Sequence, residues 1–331
     1  MADSLKLSTL AAQAGDYYRE HEEAIREETT IGLFEGPQSL DERFSMIDGI
    51  TDELQLDSAT VADFIVQHVP ASAGSFNPVN DVLEPTARFL KMREYKAHLL
   101  FTDDQIRQTS LMYKSQAKAM ARKNPSEAVP SFIDYLFGRM IISKLKETLR
   151  KAIIQASFDP TGARSWTKIL DGLETRIADE ITAGTISPVA LSAMTPQNVV
   201  TQIESVFDEI GHANKSLPDL ICGVSPLVYA NVTRADLASL GRSDKFDAKS
   251  ELTIAGYPNC KIKLEPFLQG TKVLVYPKSD AIVGFSADVP SEWEFQRFNE
   301  TTKMLATGYV DFNFAKVNLV SANANIAYGE L

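Results

Sequence analysis

The chain has 331 residues, 44% of them hydrophobic and 23% charged, which is enough apolar material for a sizeable core and a length that suggests about two domains. Its formal net charge is −11 and its pI is near 5.0, which argues against non-specific nucleic-acid binding, since counterion release needs clustered Lys and Arg. Two cysteines, Cys222 and Cys260, exclude a disulfide framework.

The opening residues lack the basic start and apolar core of a signal peptide, and no run reaches the ~18 apolar residues of a membrane span. A chain made and folded in a cytosol is expected, with both cysteines as buried thiols; a bridge between them stays open. Residues 5–30 then read as an acidic helix with an apolar stripe through Leu7, Leu10, Ala14 and Tyr17. Such a helix has little to pack on locally and is expected to dock on a partner or along another subunit.

Residues 31–102 have a different texture. Pro37, Pro70, Pro78 and Pro85 punctuate them, with Gly32, Gly36, Gly49 and Gly74 between. Leu83–Phe101 reads as one or two extended segments studded with Arg88, Lys91, Arg93 and Lys96. So long a stretch with so little core signal is expected to be an arm that packs elsewhere.

A short helix is predicted at 103–122, with Asp103 and Asp104 suited to the dipole of its first turn. The strongest element follows. Ser131 is a good N-cap with Asp134 three residues on, and Phe137, Met140, Ile141 and Leu145 keep a helical period until Pro160 and Gly162 stop it. One helix over about 131–157 is expected, the longest in the chain.

From Trp166 the pattern is mixed α/β. Thr195 and Pro196 open a helix that stops at Gly211, and Ser225 and Pro226 open another that ends at Gly241. The polar turn Gly241–Glu251, with Arg242, Asp244 and Lys245, is expected to be an exposed loop. Short strands follow. The last stretch alternates, with Val310, Phe312 and Phe314 on one side and Tyr309, Asp311 and Asn313 on the other. A slip of phase between Phe314 and Val317 suggests a bulge or a change of cover.

The chain is poor in chemistry. "HEEAI" at His21 lacks the second His of a zinc-protease helix, and Ser115–Lys118 lacks the companion motifs of penicillin-binding enzymes. There is no Gly-rich phosphate loop. The acid pairs Glu22–Glu23 and Asp103–Asp104 read as solvated faces. No catalytic, metal or cofactor site is expected.

The order of parts resembles the major capsid protein of tailed bacteriophages, the Hong Kong 97-like fold. "VPSFIDYLFGRMIISKLKETLRKAIIQASFD" is similar to its spine helix, and "WTKILDGLETRIADEITAGTISP" with "MTPQNVVTQIESVFDEI" to the start of its axial domain. "LICGVSPLVYANVT" is similar to that domain's central strand and helix, and "IAGYPNCKIKLEPFLQGTKVLVYPKSDAIVGF" to its exit into the peripheral domain.

The resemblance implies an α+β chain with an N-terminal arm (1–48), an extended loop (49–102), a peripheral domain with the spine helix (103–160), an axial domain (161–270) and a return to the peripheral sheet (271–331). It implies hexamers and pentamers closing into an icosahedral shell around double-stranded DNA, without sequence-specific DNA contacts and without a membrane. Portal, scaffold and decoration proteins are the implied partners, and a virion capsid assembled in the bacterial cytoplasm the implied location. Many relatives carry a large N-terminal segment that is cleaved after assembly, whereas a short acidic arm precedes the loop here, so proteolytic maturation stays open.

Arg88, Lys91, Arg93 and Lys96 are then expected at a subunit interface, Arg242, Asp244 and Lys245 near the capsomer axis, and Phe137, Ile141, Val310, Phe312 and Phe314 in the peripheral core. An encapsulin-like compartment around protein cargo is the alternative within the fold. A cytosolic α/β enzyme is the alternative outside it, and it leaves the long arm unexplained.

Overall fold

The computed structural model describes residues 13–14, 16–17, 19–20, 40–61, 83–123, 131–161, 165–239, 252–254, 256–286, 293–298, 301–317 and 324–331. The chain builds two main sheets and a separate hairpin.

The first sheet is five-stranded. It uses β1 (Ser45–Ile47), β4 (Arg93–Thr102), β10 (Ala281–Phe285), β11 (Trp293–Phe298) and β12 (Thr301–Phe314). β12 is its axis. β11 and then β10 pair antiparallel along one edge, while β4 runs antiparallel along the other, from Thr301↔Thr102 to Val310↔Arg93. β1 lies parallel beside β10.

The second sheet is six-stranded, in the order β5 (Val189–Ala190), β13 (Ala327–Glu330), β9 (Lys272–Pro277), β6 (Leu220–Val224), β8 (Tyr257–Leu264), β7 (Thr253–Ile254). Both faces of β6 and β9 are covered, which explains their continuous apolar runs. Ile221, Leu274 and Tyr276 face the main core; Cys222, Val224, Val273 and Val275 face a second core under α4 (Val199–Asp208) and α5 (Pro226–Ser239). Cys222 and Cys260 are buried, reduced thiols.

Two helices complete the first sheet. α1 (Asp103–Lys123) has 21 residues and is not short. α2 (Ser143–Gln155) continues without a break from π-helical turns at Asp134–Ile142. The capping pair forms: Ser131 N donates to Asp134 Oδ2 at 2.8 Å and Asp134 N to Ser131 Oγ at 3.1 Å. The single helix expected over 131–157 is present as one unbroken helical run, with π-helical turns over Asp134–Ile142. An i→i+5 pattern widens each turn. Buried Phe132, Leu136, Phe137 and Ile142 are spaced to suit that wider turn, and they meet Ala14, Ile106 and Met304 in one cluster. Phe137 and half-buried Ile141 belong to this cluster. Val310, Phe312 and Phe314 pack instead in the main core, with Leu149 and Ile153 of α2 and Leu173 and Ile177 of α3 (Leu173–Thr182).

That main core is shared by both sheets, so the domain boundaries need correction. "TKVLVYP" is β9, in the second sheet and not beside β12. The chain re-enters the first sheet at Ala281, leaves after Phe314, and ends in the second sheet as β13. The change of phase after Phe314 is the end of a strand, where Ala315 N donates to Asp280 O at 2.6 Å, and not a bulge within it. Residues 40–48 are not a free arm either: Leu40 and Phe44 are buried in the main core, and Phe44 stacks on Tyr276 with centroids 5.9 Å apart.

Candidate assembly arm and its root

Strands β2 (Glu53–Val61) and β3 (Leu83–Lys91) form an antiparallel hairpin, registered from Glu53↔Lys91 to Val61↔Leu83. At ~3.4 Å per residue its nine paired positions span about 30 Å. Among the described residues, the substantial contacts of β2 are with β3, and those of β3 with β2 and β12. The expected loop of 49–102 is therefore shorter than drawn, because residues 93–102 are β4, inside the first sheet.

The root of the hairpin sits on the face of the first sheet opposite the spine helix. Ile50, Leu56, Leu90 and Ile282 make a small apolar cluster there. Gly284 lets it approach: a Cβ at that position would come within 2.7 Å of Ile50 Cδ1 and 2.9 Å of Met92 Cε. The polar positions of β12 also point into this contact. Asp311 Oδ2 accepts from Lys91 N at 2.8 Å, and Asn313 Nδ2 donates to Phe89 O at 2.9 Å. Asp311 is 1% exposed and Asn313 is buried. Burial pushes the Asp311 carboxyl up to about 6, against the pull of the Lys91 N–H and of Arg176, whose Nη2 lies 3.8 Å from Oδ1. Arg176, on α3, also donates from Nε to Phe312 O at 3.2 Å.

The four basic residues singled out from sequence separate. Arg88 Nη1 bonds Glu180 Oε1 of α3 at 2.5 Å, with both side chains mostly buried. Burial pushes Glu180 up, but hydrogen bonds from Arg88 and from the Thr185 hydroxyl together outweigh it and hold the carboxyl below its usual range. The Arg93 guanidinium lies over the Phe158 ring at 4.0 Å. Lys91 pairs loosely with Glu53 at 4.0 Å and Lys96 with Glu94 at 2.8 Å, all half exposed. Arg88 and Arg93 thus hold their own subunit together, and Lys91 and Lys96 remain on the surface. Arg242, Asp244 and Lys245 lie outside the described residues.

A second clamp ties the segment before β1 to the second sheet. Arg43 Nη1 donates to Leu264 O at 2.7 Å and to Glu265 Oε2 at 3.1 Å, with both side chains buried. Burial raises the Glu265 carboxyl to about 7 although Arg43 opposes it. Neither clamp has the open access of a catalytic site. Among the described residues no group of His, Cys, Asp and Glu could hold a metal ion, and no helix is long and apolar enough to cross a membrane.

An apolar groove of about 550 Å³ lies between β4, α1 and the spine helix, lined by Leu99, Leu100, Ile106, Met140, Ile141 and Leu145 among others. Leu100 and Met140 are exposed in it.

This architecture is found in known particles. A chain of the satellite phage P4 procapsid including size determination (Sid) protein superposes with a TM-score of 0.54 at 10% identity, over 94% of this chain and 98% of that one. A Mycobacterium phage Cain structure superposes with a TM-score of 0.50 at 10% identity, over 92% of both chains. The fold is the Hong Kong 97-like capsid fold, α+β. The holo-SrpI encapsulin complex from Synechococcus elongatus PCC 7942 matches with a TM-score of 0.47 at 10% identity, over 89% of this chain and 87% of that one. No family model and no curated protein matches the sequence.

The first sheet with the spine helix, the second sheet and the β2–β3 hairpin are the parts that build this fold here. Asp311, Asn313 and Gly284 were not legible as site residues. The available signal was an acid and an amide set between aromatic residues in "YVDFNF", a position where a solvent-facing reading leaves their partners unasked.

Proposed function

We propose that this chain is the major capsid protein of a tailed bacteriophage, the repeated subunit of a closed icosahedral shell around double-stranded DNA. Its role is structural and not catalytic. The observation that carries the reading is the hairpin: about 30 Å of paired strand anchored at one end by buried polar groups and a close-packed glycine. A strand pair whose described contacts with its own subunit lie at the root needs a second copy to cover the rest. The whole-chain likeness to a procapsid subunit supports the same role.

Closed symmetric shells are held by extended contacts between copies. On this reading the hairpin reaches across a neighbouring copy within hexamers and pentamers, and the apolar groove beside β4 receives apolar side chains from another copy. The exposed cations Lys91 and Lys96 lie at that contact, and Arg242, Asp244 and Lys245 near the axis of the capsomer. Portal, scaffold and decoration proteins would meet the assembled shell, which forms in the bacterial cytoplasm and becomes the virion capsid.

The test removes the arm and keeps its root. Residues 57–87 are replaced by an Asn-Gly turn, which suits a two-residue hairpin. A folded subunit with unchanged circular dichroism and no particles is the expected result. Particles of ordinary size from this variant would contradict the role given to the hairpin.

A further inference from the structure

Net charge conceals a segregated one. From Gln105 to Lys123, α1 carries Arg107, Lys114, Lys118, Arg122 and Lys123 and not a single acid, in a chain of net charge −11. At about 100° per residue, Arg107, Lys114, Lys118 and Arg122 fall within an arc of roughly 80°. The helix is fastened from another side, where Ile106 and Ser110 are buried and the Tyr113 ring meets those of Phe132 and Tyr135 at 5.6 and 5.5 Å.

The four cations of the C-terminal half are exposed, and among the described residues none of them has an ion-pair partner. Arg107 has one exposed contact, to Asp104 at 3.5 Å. Successive turns set Lys114, Lys118 and Arg122 about 6 Å apart in a row.

We infer that this face of α1 is a sequence-independent binding site for the phosphate backbone of nucleic acid. Its shape selects the ligand class. A row of cations on an open helix face has no enclosure for a small anion, but it matches a linear array of phosphates, whose neutralisation releases counterions. The residues between the cations, Ser115, Gln116, Ala119 and Ala121, are small or polar and exposed, so a backbone can approach closely. A protein partner would want a central apolar or aromatic anchor; Leu111 and Met112 are exposed at one end of the row, but residues 114–123, which carry four of the five cations, expose no large apolar side chain. In a shell, this site puts α1 on the inner surface against the packaged DNA. That placement rests on the shell function, whereas the binding belongs to the subunit.

The experiment titrates unassembled full-length subunits against a labelled 30-base-pair duplex of arbitrary sequence by fluorescence anisotropy, from 20 to 200 mM KCl. Four neutralised phosphates give a log–log salt slope of about −3 to −4. The variant Lys114→Gln, Lys118→Gln, Arg122→Gln, Lys123→Gln keeps helix-forming side chains. It should keep its circular dichroism and melting curve, lose most of the salt slope, and bind at least tenfold more weakly at 50 mM KCl. No binding by the natural chain at 20 mM KCl would overturn the inference, as would a variant with unchanged affinity and slope. Loss of particles by the variant with no DNA binding by the natural chain would assign the face to an acidic segment of a second copy and overturn it too. A natural chain that binds DNA through these residues yet forms no particles would uphold the site and sink the shell reading.

Discussion

Asp311 holds the arm, and its removal has a cost that depends on pH. The carboxyl is 1% exposed and raised from the ordinary 3.8 to about 6, chiefly by burial. Between those values the folded chain holds a proton that the unfolded chain has lost. The stabilisation is therefore fully present below about pH 3.8 and is lost as pH rises through about 6. At ~1.4 kcal/mol per pH unit the gap corresponds to about 3 kcal/mol.

Asp311→Asn keeps an acceptor for Lys91 N and cannot titrate. Subtracting its unfolding free energy from that of the natural chain, by urea denaturation of unassembled subunits between pH 4 and pH 7.5, should give a difference that shifts by about 2.4 kcal/mol against the natural chain as pH rises. The subtraction cancels Glu265 and Asp280, which are raised by burial as well. Asp311→Ala, by contrast, leaves the Lys91 N–H without its acceptor and should destabilise by about 2–3 kcal/mol at neutral pH. A pH-independent difference between the natural chain and Asp311→Asn would refute the buried, titrating anchor.

Other sites give sharper contrasts. Phe312 is fully buried between Phe44 and Phe314, with centroids at 5.5 and 5.4 Å, so Phe312→Ala should cost about 3–5 kcal/mol in a denaturant titration, and a loss under 1 kcal/mol would remove it from the core. Arg88→Ala leaves Glu180 buried without its cation and should cost about 3 kcal/mol, while Lys96→Ala should leave the melting curve unchanged; equal effects would undo the separation of these two residues. Gly172→Ala would bring a Cβ to 2.6 Å from Ala152 O and 2.9 Å from Ile153 O, both backbone. Folded subunit should drop sharply on expression, and ordinary yield and melting would show that the α2–α3 junction is looser than described.

Local signals were legible where the physics is local. The Ser131–Asp134 cap forms as its spacing suggests, and Pro226 opens α5. What escaped depends on partners far along the chain. Nothing in "TKVLVYP" tells which sheet β9 joins, since both faces of either sheet can take an apolar run. Alternation set Asp311 and Asn313 opposite the aromatic residues of β12 correctly, but only the hairpin, some 220 positions earlier, turns that second face into an interior. Across the π-helical turns, Phe132, Phe137 and Ile142 stand at a five-residue spacing that a reading at ~3.6 residues per turn passes over. The basic face of α1 vanished into a net charge averaged over the whole chain.

The central claim is that this chain closes into a shell, and an electron micrograph of the purified full-length protein tests it most directly. The account predicts uniform, hollow, round particles of icosahedral outline. A field of monomers or small oligomers across salt and protein concentrations would contradict it.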